Sequence, residues 1–179
     1  INPNLYPKLP YDAIKDFVPI TGIATSPYIL VVHPSLPVRT VKDLISLAKV
    51  RPGQLNFASS GSGTPGHLAG IMLNEAAGIN MVHIPYKGAA PATTATISGE
   101  TQLVFGSLTS TLSSVRSSRL RALAMSSAKR SPFLPHMPTV AEAGYPGFEA
   151  ITWSGVFAPA GTSPSIVTLA LIVALVVVM

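Results

Sequence analysis

From Thr40 to Met125 the hydrophobic pattern changes period repeatedly, and this alternation constrains the fold more than any other feature. Val41, Leu44, Ile45 and Ala48 recur at helical spacing behind Thr40, with Asp43 placed as in a capping box, and Pro52-Gly53 ends the run. A strand is expected over 55–58, a helix over about 65–77 ended by Gly78, and a strand over 81–85. A helix over 90–98, a strand over 102–105, a short helix over 108–113 and a strand over 120–125 follow. Each helix between two strands acts as a crossover, so the strands it joins run parallel. The expectation is an α/β fold with a mostly parallel sheet and helices on both faces. Ligands in such sheets bind outside the carboxyl ends of the strands. The loops 59–66, 86–89 and 106–109 are therefore the expected site.

The flanks read differently. Residues 1–16 are irregular, punctuated by Pro3, Pro7 and Pro10, and no signal peptide is read there. Two apolar runs, 17–24 and 28–33, read as separate strands bounded by prolines. PFLPHMPTV is a stiff loop, Thr139–Ala143 a helical turn closed by Gly144, and 151–158 a last strand with Trp153 expected in the core. Residues 166–179 are apolar except for Thr168. That stretch is too short to span a bilayer unaided and lacks the polar face of a surface helix.

Composition removes several classes of function. Apolar residues make up 47% and charged residues 11%, which excludes a disordered chain. With no cysteine, disulfide scaffolds, thiolate metal sites and cysteine nucleophiles are excluded. Twelve Lys and Arg against seven Asp and Glu give a formal charge of +5, a field that suits an anionic partner. The densest basic stretch is Arg116, Arg119, Arg121, Lys129 and Arg130. No aromatic lies between Arg116 and Arg130, so it reads as solvated surface rather than a nucleic-acid face. His33, His67, His83 and His136 lack ligand spacing, so no metal is expected.

The strongest local signal is Ser59-Ser60-Gly61-Ser62-Gly63-Thr64-Pro65-Gly66. Its glycines let the backbone approach a ligand and turn N–H groups inward. Pro65 suits a first helical turn, and the helix start behind it favours an anion. The hydroxyls of Ser59, Ser60, Ser62 and Thr64 add donors. Gly61, Gly63 and Gly66 match the dinucleotide pattern, but the next strand ends His83-Ile84-Pro85-Tyr86-Lys87 without the acid that binds ribose. The P-loop lysine is missing, as is the nucleophile elbow of serine hydrolases. His67 sits in the first helical turn, where the dipole disfavours its protonated form. Lys87, at a strand end, faces either an anionic ligand or solvent. Phe105-Gly106-Ser107 ends the next strand and is a candidate for the same cleft.

These segments resemble one family. LYPKLPYDAIKDFVPIT, HPSLPVRTVKDLISLAK, PGQLNFASSGSGTPGHLAG, VHIPYKGAAPA, LRALAMSSAKRSPFLPHMPTVAEAGYPGFEA and FAPAGT follow the pattern of the Bug-type receptors of tripartite tricarboxylate transporters, over about residues 1–163. The resemblance implies a type II periplasmic-binding-protein-like fold, two lobes joined by hinge strands, with no enzymatic activity and no cofactor. It implies a periplasmic protein that holds a small organic acid in an interdomain cleft and delivers it to membrane transporter subunits, with no nucleic acid involved. Its implied binding residues are Ser59, Ser60, Gly61, Ser62, Gly63, Thr64 and His67, then Tyr86, Lys87 and Gly88, with Ser107 beside them. Gly106 stands where members often carry Asp. The expected organisation is 1–32 as part of lobe 1 with crossing strands, 33–157 as lobe 2, and 158–179 as the return to lobe 1. The resemblance further implies that the chain is an internal portion of such a receptor. The alternatives are an α/β enzyme acting on a carboxylate, which lacks a nucleophile–base–acid set here, and a protein-docking module.

Overall fold

The computed structural model of the chain describes residue 3 and residues 8–178. The irregular start expected over 1–16, and the end of the apolar stretch at Met179, lie partly outside these residues. The chain divides into two compact units, Pro27–Ile151 and the pairing of Ile1–Ser26 with Thr152–Met179. The expected second lobe, 33–157, starts and ends six residues later than the larger unit.

The larger unit follows the alternation. Its strands are β2 (Asn56–Ser59), β3 (Val82–Pro85), β4 (Leu103–Ser107) and β5 (Arg121–Met125). Its helices are α1 (Val41–Val50), α2 (Pro65–Ala77), α3 (Ala89–Ile97) and α4 (Leu108–Arg116). β2 pairs in parallel with both β3 and β4, as crossover helices require. The two expected strands at 17–24 and 28–33 form one, β1 (Phe17–Val32). It passes through Pro27 and runs from the smaller unit into the larger. Within the larger unit β1 lies between β4 and β5 and is antiparallel to both, so the sheet is mixed, in the order β3-β2-β4-β1-β5.

Strand alternation sends side chains to two faces, and each face has its own core. Leu30, Val32, Phe57, Leu103 and Phe105 pack with Leu44 and Ile45 of α1 and Ala69 and Leu73 of α2. Ile29, Val31, Ala58 and Val104 face the other way and pack with Ala92 and Ile97 of α3 and Leu108 and Val115 of α4. Helices therefore cover both faces. Each fully buried Leu, Ile or Phe contributes about 1.5–3 kcal/mol relative to exposure, so these two layers dominate the unit's stability.

Local chemistry fixes the helix ends. Thr40 Oγ1 accepts from Asp43 N–H while the Asp43 carboxylate accepts from Thr40 N–H, which closes the capping box of α1. Thr139 and Glu142 make the same reciprocal bonds at their turn. Two members of the basic stretch are spent on such contacts. The Arg121 guanidinium donates to the carbonyls of Leu36 and Val38, and Arg130 pairs with Glu142 at 2.9 Å.

In the smaller unit β1 pairs with β6 (Ile151–Pro159). Trp153, expected in the core, is 62% exposed and leans on Phe157 instead. Among the described residues β6 pairs with β1 alone, and this ribbon buries little on either face. α5 (Pro164–Val178) follows, with Ile166, Leu169, Ile172, Val173 and Leu175 exposed. Among the described residues no helix is long and apolar enough to cross a membrane.

Gly66, in the first turn of α2, packs against β4. A Cβ there would sit 2.7 Å from the Phe105 carbonyl oxygen, so only glycine lets the helix start this close. Gly66→Ala should cost about 1–3 kcal/mol as the helix is pushed off the strand. The check is a lower urea midpoint at unchanged slope; an unchanged midpoint would contradict this packing.

Candidate functional site

Parallel pairing brings the carboxyl ends of β2, β3 and β4 to one edge of the sheet. Because β1 is antiparallel, its Tyr28 pairs with Ser107 and joins the same edge. Together they surround a hollow of about 90 Å³ lined by Tyr28, Ser60, Ala89, Gly106, Ser107 and Ser110 over a floor that includes Ala92 and Val104. At about 30 Å³ per water, that is room for one carboxylate group and the carbon next to it. Two larger grooves, of about 540 and 500 Å³, lie elsewhere on the unit, against α2 and against α1.

The three expected loops each contribute to the hollow. From the first, Ser60 is the lining residue. Its carbonyl accepts from Gly88 N–H at 3.2 Å, which ties the bend to the start of α3. Gly88 is the N-cap of α3 at φ 116, a conformation that favours glycine, and it supplies no side-chain cap. The first turn of α3, with Ala89 on the hollow, therefore keeps the uncapped N–H groups and partial positive charge of a helix start. From the third loop, Ser107 caps α4 by accepting from Ser110 N–H, and its Oγ donates to Ser110 Oγ at 3.0 Å. The lining holds hydroxyls and backbone donors and no acidic or basic side chain. Burial holds the Tyr28 phenol above its ordinary range, so it stays a neutral donor.

The remaining sequence candidates stand around the hollow rather than on it. Ser59 is 1% exposed, and its Oγ lies 2.6 Å from His83 Nε2, donates to Gly61 O and accepts from Gly61 N–H. Thr64 Oγ1 donates to the same Gly61 carbonyl at 2.7 Å. Ser62 is exposed, and Gly63 N–H donates to His67 Nδ1 at 3.0 Å. Tyr86 turns its hydroxyl to Glu100 at 2.8 Å, and Lys87 is exposed. Tyr28 and Ser110 line the hollow without having been expected there, whereas Ala89 belongs to the expected loop 86–89. Ser110 had a faint signal as a residue just inside the helix expected over 108–113.

Behind the bend His67 and His83 stack at 3.9 Å between ring centres, and Phe57 backs His83 at 5.0 Å. Desolvation holds both imidazoles below their ordinary range, and for His83, with His67 as a second cause, the value falls to about 4. The close Ser59–His83 contact has the outline of a nucleophile and base. Ser59 Oγ is enclosed, however, and among the described residues no carboxylate bonds to His83. The pair fastens the loop. No group of His, Asp or Glu among the described residues is placed to hold a metal.

Comparison with known proteins adds an independent line. The family profile "Tripartite tricarboxylate transporter family receptor" matches residues 1–174. A UPF0065 protein in the tcbD-tcbE intergenic region of Pseudomonas sp. strain P51 is 44% identical over 90% of this chain and 48% of its own length. Protein BugT of Bordetella pertussis is 39% identical over 93% of this chain and 51% of its own. Among solved structures, R. palustris Rpa4515 with adipate matches with a TM-score of 0.86 at 40% identity, over 94% of this chain and 56% of the other. MatC of Rhodopseudomonas palustris, with bound malate, matches at 0.84 and 28% identity, over 99% of this chain and 60% of the other. The chain spans about half the length of the relatives it matches.

The lowered His83 value makes stability pH-dependent. The unfolded chain takes up the His83 proton near 6.5 and the folded one only near 4, so the unfolded state binds more protons between these limits. Stability should therefore fall as pH drops from 6.5 to 4, and His83→Gln should flatten part of that fall. Melting temperature against pH for both proteins is the measurement; identical profiles would contradict a neutral, half-buried His83.

Proposed function

The chain belongs to the tripartite tricarboxylate transporter receptor family, and from that premise we propose that it captures a small organic acid, seating a carboxylate in the hollow at the strand ends. We place this work in the periplasm and propose that the acid is handed to membrane subunits of a tripartite transporter. The observation that carries the reading is the lining itself: the Ser60 hydroxyl and the uncapped start of α3, with no acidic side chain among them, while the Ser107 and Ser110 hydroxyls bond within their own turn and would have to turn to meet a ligand. Such a surface offers donors to an anion and no carboxylate to repel one. The adipate and malate in the two solved relatives are carboxylates, which supports the same class of ligand.

A hydrogen bond to a charged group contributes about 1.5–3 kcal/mol, and a helix start adds about 0.3–1 kcal/mol, more when partly buried. Three or four such contacts sum to about 5–12 kcal/mol before association and ordering costs, against the roughly 8 kcal/mol of a micromolar complex, so groups outside the hollow must add to the affinity. Lys87, exposed in the loop after β3, adds to the positive field that draws an anion in.

The test is isothermal titration of the intact protein with adipate, malate and citrate, with the ligand recovered and identified afterwards. Binding of at least one acid without turnover is expected. Silence across the panel would sink the reading, and product formation would replace it with the enzyme alternative. Ser60→Leu, which fills the hollow and removes a donor, should weaken binding at least about tenfold while shifting the melting temperature by no more than about 2–4 °C. Unchanged affinity in that variant would move the site elsewhere.

A further inference from the structure

The His67–His83 stack does no work in the hollow, yet every hydrogen bond it makes reaches the bend that carries Ser60. His67 Nδ1 accepts from Gly63 N–H at 3.0 Å, which fixes its tautomer: a neutral ring must carry its proton on Nε2. Ser59 Oγ has one proton and gives it to Gly61 O, so at 2.6 Å His83 Nε2–H is the donor and Ser59 the acceptor. The two rings hold opposite ends of one turn. Between those ends Ser60 O receives Gly88 N–H, so the hold passes on to the start of α3.

We propose that His67 and His83, stacked as neutral rings behind the bend, are positioning residues for the ligand, and that binding fails when the pair takes up a proton. This rests on the carboxylate reading above. A proton on His67 Nδ1 would set N–H against the Gly63 N–H and abolish the acceptor. A proton on His83 would place a cation 3.9 Å from the ring of His67. Neighbouring elements offer no compensation. β2 and β4 carry no titratable side chain, and Glu75 lies toward the far end of α2. Tyr86 follows β3 and bonds to Glu100, which follows α3, while Lys87 is exposed. Besides desolvation, only His67 acts on His83.

The test is titration of the intact protein with adipate between about pH 7.5 and pH 5, for the wild type, H67N, H67L and H83Q. Asparagine keeps an acceptor where Nδ1 stood and does not titrate, so H67N also controls for protonation of adipate itself. Wild-type affinity should fall at least about tenfold over this range, beyond any fall in H67N, which should bind within about threefold of the wild type at the upper pH. H83Q, which can still donate to Ser59, should retain binding and, because His83 takes up its proton only near 4, keep the fall over this range that His67 produces. H67L should lose at least about tenfold at the upper pH with an unchanged circular dichroism spectrum. Without ligand, the Gly63 amide resonance should move with the His67 titration, a readout independent of binding and of whether H67L folds. A wild-type profile no steeper than that of H67N, or a Gly63 resonance indifferent to pH, overturns the positioning role and leaves the carboxylate reading standing. Failure of the wild type to bind any acid at the upper pH overturns both.

Discussion

The site depends on β2 lying between β3 and β4 with all three strands parallel. Ser59 stands beside Pro85 and Ala58 beside Val104, so the loops that follow leave the sheet at the same edge. A shift of register by one residue would turn Phe57 and Ser59 to the other face and carry Ser60 away from Ala89 and Ser107. The close seat of Gly66 on Phe105 and the Gly88–Ser60 bond fix the crossovers that hold this order. The hollow is thus a product of topology. Its donors come from three loops far apart in sequence.

Much of this was legible before any coordinates. The alternation of periods gives β2 to β5 with their helices, and the Gly/Ser bend marks the first strand end. What escaped was β1. Strand partners are not written in local periodicity, and two proline-bounded runs gave no sign of one strand entering antiparallel between β4 and β5. Tyr28 reaches the site only through that insertion. Ser59 was open to a finer reading: it shares its pleat face with Phe57, a core residue, so its hydroxyl turns inward while that of Ser60 does not. Trp153 misled because a large aromatic in an apolar strand usually has a core to fill, and the β1–β6 ribbon offers none within reach.

The electrostatic design is economical in charge. On the proposed reading the hollow meets an anion with the Ser60 hydroxyl and the start of α3, and the chain has few carboxylates to oppose one. Donors of this kind recognise the carboxylate and are indifferent to the rest of the molecule. Discrimination between acids then falls to whatever meets the tail outside the hollow. The neutral imidazoles behind the bend brace the turn: His67 Nδ1 takes up the Gly63 N–H, and His83 bonds to Ser59 at its other end.

A crystal structure of the intact protein grown with adipate would test the central claim most directly. The account predicts one carboxylate inside the hollow, with its oxygens within hydrogen-bond reach of the Ser60 and Ser107 hydroxyls and of the Ala89 amide. Adipate held elsewhere, or that hollow filled by side chains while adipate is bound, would contradict it.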